Sequence, residues 1–318
     1  INVHGLNVGN GVSVAGIQSF RDAFIQSRIQ AETGIAGRLT AQRDALGPVE
    51  AALQGSENGG IENALANFFG SFRDLEANPG SLPLRSLTAQ RGAALASAFQ
   101  STRARLGEIR QSTDAQVQVS VEQANDLSSR IAELNQKVSA AEASGVEASG
   151  LRDQRAELAT KLSELTGARA TENPDGTLTL SIADGRPLVL GNKAFQLQAE
   201  QVPPLGLSTV SLGGEPAAIT EGTIAGLLSA IDSASTQIND LDALAASVVQ
   251  RVNDLHTSGT DLDGNAGVNF FNNSGTVTAA NISVNSAVAS DPRLIVASPL
   301  GQPGQTGTVA GSIANLLT

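Results

Sequence analysis

Asp261, Asp263 and Asn265 stand at alternate positions, the spacing with which a calcium-binding loop begins. Oxygen ligands at every second residue suit a hard cation held in a tight loop. That loop also needs glycine at its sixth position and a bidentate glutamate at its twelfth. Ala266 and Asn272 occupy those places, so calcium is not expected. The three residues read instead as a polar turn closed by Asx-type hydrogen bonds.

His4 and His256 are the only histidines, and neither sits in a His-x-x-x-His spacing. Each is expected to be solvated or hydrogen-bonded in a structural role. The chain has no cysteine, which removes disulfides, zinc-thiolate sites, iron–sulfur clusters and thiol nucleophiles. No Gly-x-Ser-x-Gly elbow or Walker loop occurs, and Gly9-Asn10-Gly11 lacks the dinucleotide fingerprint. Glu122, Asp126 and Glu133 lie on the outward side of a helical pattern, with Arg130 and Lys137 four residues beyond the latter two. Glu157 and Lys161 repeat the arrangement. Such pairs are ordinary surface pairing, worth a few tenths of a kcal/mol, on the order of 0.3 each. No catalytic, cofactor-binding or metal-binding residue is assigned, no cofactor is expected, and the chain does not read as an enzyme.

The elements around these residues are dominated by helices. Ile224, Ile231, Ile238, Ala245 and Val252 recur every seven residues, with Leu227, Leu241, Val248 and Leu255 as the companion series and the small apolar Ala234 at its one gap. A helix so patterned carries an apolar seam that another helix must cover. A second seam runs through Val117, Ala124, Ile131 and Val138, with Leu127, Leu134 and Ala141 beside it. That helix begins near Leu84 and ends near Ser144. Gly145 and Gly150 mark a turn, and Leu151, Leu158, Leu162 and Leu165 form a return helix ending at Gly167, an antiparallel hairpin. Upstream, a stripe through Ile17, Phe20, Phe24, Ala31, Ile35, Leu39, Leu46, Val49 and Leu53 predicts helix from about Ser13, interrupted by Gly34 and Gly37. A shorter helix, Ile61 to Ala77, carries Phe68, Phe69 and Phe72 as core and stops at Asn78-Pro79-Gly80.

Between Gly167 and Glu221 the period changes from seven to two. Glu172 to Gly176 is a turn signature before a strand over Thr177 to Ile182, and Ala183-Asp184-Gly185 turns into Arg186 to Leu190. Ala194 to Ala199 and Leu207 to Leu212 are further strands, separated by Pro203-Pro204, and two more are expected near Ile282 to Val284 and Leu294 to Ala297. The fold class is therefore mainly α with an inserted small β domain, an elongated antiparallel helical bundle or rod. Residues 1–166 and 222–318 would form the discontinuous helical domain and residues 167–221 the insertion.

Composition narrows the function. The net charge of −11 repels a phosphate backbone, and the absence of Tyr and Trp removes the usual stacking platforms. No nucleic acid partner is expected. No run of eighteen apolar residues exists, so no membrane-spanning helix is expected. Met is absent, which suggests a trimmed piece of a longer chain.

Several runs, taken in order, resemble the flagellar hook-associated protein 1 (FlgK-type) family. They are Gly11-Val12-Ser13-Val14-Ala15-Gly16 with Asp22-Ala23-Phe24, Phe68 to Leu75 closed by Asn78-Pro79, Ile131 to Asn135, and Leu151 to Arg155 before Leu162 to Leu165. Asp175-Gly176-Thr177, Pro187 to Gly191, His256 with Gly259, Asp261 to Asn265, Phe270-Phe271, Asp291-Pro292 and Ala297-Ser298 complete the series. The resemblance implies a structural subunit of the bacterial flagellum at the hook–filament junction, assembling by helical packing without catalysis. It implies the hook protein and hook-associated protein 3 as neighbours, an export chaperone on a C-terminal segment outside this stretch, and a homo-oligomeric ring. It also implies an extracellular location reached through the export channel without a cleavable signal. The family's terminal coiled-coil segments look absent at both ends, so this stretch is expected to be a monomer in solution. The alternatives are a surface adhesin or enzyme-bearing rod protein whose β insertion carries an activity, and a coiled-coil adapter.

Overall fold

The computed structural model describes residues 2–3, 6–7, 23–55, 60–145, 148–202 and 207–317. His4, Gly9 to Gly16, Ile17, Phe20, Asp22 and Pro203-Pro204 lie outside the described residues. The helices are α1 (Ala23–Gln54), α2 (Ile61–Ala77), α3 (Leu82–Ala143), α4 (Ser149–Thr166), α5 (Gly222–Thr257), α6 (Ser286–Ser290) and α7 (Thr308–Ala314). The strands are β1 (Asn2–Val3), β2 (Leu6–Asn7), β3 (Arg169–Glu172), β4 (Leu178–Ser181), β5 (Pro187–Leu190), β6 (Lys193–Ala194), β7 (Leu197–Val202), β8 (Leu207–Leu212), β9 (Glu215–Pro216), β10 (Gly259–Thr260) and β11 (Ser298–Pro299). The fold is mainly α, with small antiparallel sheets between α4 and α5.

The chain forms two compact units. The first is Ile1–Ala41 with Val117–Gly226, the second Gln42–Gln116 with Leu227–Thr318. In the first unit, Val117, Ala124, Ile131 and Val138 of α3 are all fully buried. The companion series is not: Leu127 and Ala141 are half-exposed. The α3–α4 pair is antiparallel, with Glu142 bonded to Arg152 and Asn135 to Arg155. Gly145 takes a left-handed φ at the turn, but Gly150 falls inside α4. Gly167 closes α4 in the left-handed conformation, its N–H donating to the Ser163 carbonyl at 2.7 Å.

Two sheets follow, ordered β3-β4-β5-β6 and β7-β8-β9. The turn before β4 forms as its residues predict: Asp175 Oδ1 accepts from the Thr177 N–H at 3.0 Å and from its hydroxyl. β3 has no apolar alternation because it is an edge strand with most of its residues exposed. The Ala194 to Ala199 expectation splits into the end of β6 and the start of β7, and β7 pairs with β8 over six residues.

The second unit has one apolar cluster. It takes Phe68, Phe69, Phe72 and Leu75 from α2, Leu95 and Phe99 from α3, Ile238, Ala245 and Val252 from α5, and Phe270, Phe271, Ile282, Ile295 and Ile313 beyond it. Phe68 meets Phe69, Phe72, Phe270 and Phe271 with ring centroids 5.2–5.5 Å apart. Such tilted and edge contacts each add roughly 0.5–1.5 kcal/mol beyond burial. The strands expected near Ile282 and Leu294 do not form. Val284 makes one isolated bridge to Phe271, and Pro292–Leu294 is a 3-10 turn. Their backbone groups go elsewhere: Val309 and Ala310 both donate to the Ala297 carbonyl.

α1 departs most from its pattern. It runs unbroken through Gly34 and Gly37. Its buried positions in the first unit are Gln30, Gly34 and Gly37, while Ile25, Ile29, Ile35 and Leu39 are exposed. A Cβ on Gly34 would stand 3.2 Å from the Ser163 carbonyl oxygen, and one on Gly37 would collide with the Glu164 carbonyl. The glycines are the face that lets α1 lie against the end of α4, and the stripe residues Ile35 and Leu39 beside them point outward, whereas Val49 further along α1 is buried.

Candidate functional site

The polar turn after α5 is built around Asp261. Its carboxylate is buried and accepts from the Asp263 N–H at 2.9 Å, the Asn265 N–H at 2.8 Å and the Asn265 side-chain amide at 3.2 Å. Asp263 is taken by Arg293, whose Nε donates to Oδ2 at 3.0 Å and whose Nη2 bonds Oδ1. That partner holds the Asp263 carboxyl below its usual range. The three oxygen-bearing residues of the calcium-like spacing thus bind one another, the backbone and Arg293. Among the described residues no group of three or more His, Asp or Glu is placed to hold a metal ion.

His256, in the last turn of α5, has no exposed surface. Its Nδ1 faces the Val268 carbonyl and its Nε2 accepts from the Val296 N–H at 2.9 Å. A ring that accepts at Nε2 carries its proton on Nδ1, which then donates to Val268, so both nitrogens of the neutral imidazole are satisfied. Burial, with the nearby Arg85 charge a lesser cause, pushes its pKa down to about 4. Arg85 itself is fully buried at the start of α3, donates to the Pro79 carbonyl at 2.6 Å, and is lowered to about 10 by desolvation.

Three helix asparagines share one geometry. Asn125 bonds both the N–H and the carbonyl of Leu197 at 2.8 Å. Asn135 does the same to Leu178, at 2.9 and 2.8 Å. Asn253 does it to Phe271, both at 2.9 Å. A carboxamide offers a donor and an acceptor side by side, as a peptide unit does, so each replaces a missing strand partner. Asn135 also donates to the Gly191 carbonyl and accepts from Arg155. Arg155 reaches the Gly176 carbonyl at 2.8 Å, and Arg152 ties Glu142 to Glu172. The Leu151-Arg152-Asp153-Gln154-Arg155 run therefore fastens the first sheet to the α3–α4 hairpin.

Asn125, Asn253 and Arg85 lie in no motif of the sequence considered above. A signal existed for the asparagines. Each stands four residues after a buried β-branched residue (Val121, Ile131, Val249), on a helix where Asn is otherwise disfavoured.

The expected surface pairs form in two cases, Asp126–Arg130 at 3.4 Å and Glu157–Lys161 at 2.7 Å. Beside them, α3 and α4 leave an open groove of about 660 Å³ lined by Glu122, Gln123, Asp126, Leu127, Lys161, Glu164 and Leu165. Its half-exposed leucines are Leu127 of the α3 companion series and Leu165 of α4.

The polar side chains that hold backbone in place thus lie on long helices that carry small antiparallel sheets, a mainly α fold. Residues 46–271 match the family model of the flagellar hook-associated protein FlgK helical domain, and the chain belongs to that family. It is 30% identical over 278 residues to flagellar hook-associated protein 1 of Salmonella typhimurium, across 83% of this chain and 50% of that protein. With the Bacillus subtilis protein of the same name it shares 24% identity over 348 residues, covering 98% and 69%. The chain spans about half the length of the enterobacterial relatives it matches. The flagellar hook junction protein FlgK from Burkholderia pseudomallei superposes with a TM-score of 0.65 at 25% identity, over 79% of this chain and 46% of that one.

Proposed function

We propose that this chain is the central portion of a flagellar hook-associated protein 1, a structural subunit of the hook–filament junction that assembles through helical packing and catalyses nothing. Residues 167–221 are an insertion in its helical body. The observation that carries the reading is the family match over residues 46–271. The site geometry supports it, because the buried side chains Asn135, Asn253 and Arg155 and the half-buried Asn125 are bonded to backbone carbonyls and amides.

In this reading the whole protein forms a ring of copies between the hook protein and hook-associated protein 3. It reaches the extracellular flagellum through the export channel without a cleavable signal, and a chaperone holds its C-terminal segment. Among the described residues no helix is long and apolar enough to cross a membrane.

A chimera tests the proposal. In the Salmonella relative, the segment aligned over 278 residues is replaced by the aligned part of this chain and expressed in cells lacking the native protein. Filaments growing on existing hooks, seen by electron microscopy, support it. Stable, exported chimera on hooks that stay bare overturns it.

A further inference from the structure

The groove between α3 and α4 has an apolar floor and an acidic rim. Leu127 and Leu165 form the floor. On the rim, Lys161 is engaged by Glu157 and Asp126 by Arg130, while Glu122 and Glu164 stand exposed. α1 covers α4 at Ser163 and Glu164 but leaves Leu127 and Leu165 half-exposed, and an amphipathic or small-faced helix fits such a groove.

α3 itself carries the complementary surface in its earlier stretch. Arg91 and Arg105 are exposed, and Ala94, Ala98 and Ser101 lie between them on the same helical face. The two arginines are fourteen residues apart, about 21 Å along the axis. Small residues in between let another backbone approach closely, so the leucine floor would meet alanines while the arginines reach inward to the rim.

We propose that the groove takes α3 of a second copy of this chain, Ala98 over Leu127 and Leu165, with that copy's Arg91 and Arg105 meeting Glu122 and Glu164. A contact between two different surfaces of one chain is heterologous, the kind that builds rings where its rotation closes and open helical assemblies where it does not. This deepens the junction reading by naming the surface through which neighbouring copies meet.

The absence of cysteine makes the test direct. Chain carrying Gln123→Cys is mixed with chain carrying Ala98→Cys at low salt, oxidised and scored for disulfide-linked dimer. The expected yield is at least tenfold above that with the exposed control Asn192→Cys in place of Ala98→Cys. Adding Glu122→Arg and Glu164→Arg to the groove copy should return the yield to control level. Adding Arg91→Glu and Arg105→Glu to the other copy should then restore it. A yield equal to the control, indifferent to charge reversal, or not restored by the swap overturns the proposal. The chimera experiment reads filament growth, so bare hooks with intact cross-linking would reject the junction and keep the contact.

Discussion

Gly37 of α1 rests on the backbone carbonyl of Glu164 in the last turn of α4, with no space between them for a side chain. In the sequence Gly37 and Gly34 interrupt an apolar stripe. In the fold they are the contact itself. Gly37→Ala should therefore destabilise the chain by about 1–3 kcal/mol, because the new methyl meets rigid backbone and not a movable side-chain tip. Gly70 in α2 has nothing within 4 Å of its would-be Cβ, so Gly70→Ala should stabilise by about 0.5–1 kcal/mol through helix propensity. Urea midpoints of the two variants should move in opposite directions.

Asn135 is the most connected of the three clamps. Asn135→Ala would leave the Leu178 N–H and the carbonyls of Leu178 and Gly191 without their partner in a half-buried setting. Unsatisfied groups with little access to water are costly, and a loss of about 1–3 kcal/mol is expected. Hydrogen exchange supplies the specific signature: the Leu178 amide should lose its protection beyond the global change. A uniform loss at every amide would show that Asn135 does not anchor β4.

His256 makes stability depend on pH. Its folded pKa of about 4 lies below the usual 6.5, so between those values the unfolded chain binds a proton that the folded ring excludes. The contribution of the neutral ring is whole above pH 6.5 and declines as pH falls towards 4. The gap corresponds to roughly 3 kcal/mol. Denaturant titrations from pH 7 to pH 5 should show this slope, and His256→Gln should flatten it. Equal slopes in both would mean that some other group titrates there.

Much of the fold was legible because burial imposes a period. Every member of the α5 series from Ile224 to Val252 is buried, as the seven-residue spacing requires. The turns at Asp175 and Gly167 were legible from turn chemistry. β3 was not, since an exposed edge strand needs no apolar alternation. Nor were the strands wrongly expected near Ile282 and Leu294, where apolar residues serve a loop packed on the Phe68 cluster. Asp261 was readable as an Asx turn. The clamps were not singled out, because a carboxamide bonding one residue's backbone leaves only a weak trace in sequence.

The α5 seam predicts a contrast within one helix. Ile231 is 4% exposed and Leu244 is 43% exposed. Ile231→Asp buries an unpaired carboxylate and should cost several kcal/mol, about 3–5. Leu244→Asp should change stability by no more than about 0.5 kcal/mol. An unchanged melting temperature for Ile231→Asp would mean that the seam does not face a core.

The outward stripe of α1 reverses that logic for residues of the same type. Ile29 is 46% exposed and Ile35 37% exposed, on the two flanks of the buried Gly34 and Gly37. A reading from periodicity alone places Ile35 in a core, where Ile35→Lys would cost several kcal/mol. The observed orientation gives the lysine stem a surface to lie along and its ammonium free access to water. Ile29→Lys and Ile35→Lys should therefore each shift stability by no more than about 0.5 kcal/mol. A double variant should behave additively, since neither change opens a cavity that the other could share. Calorimetric melting checks this, and a loss above about 2 kcal/mol in either single variant would place the stripe against protein and the glycines in water.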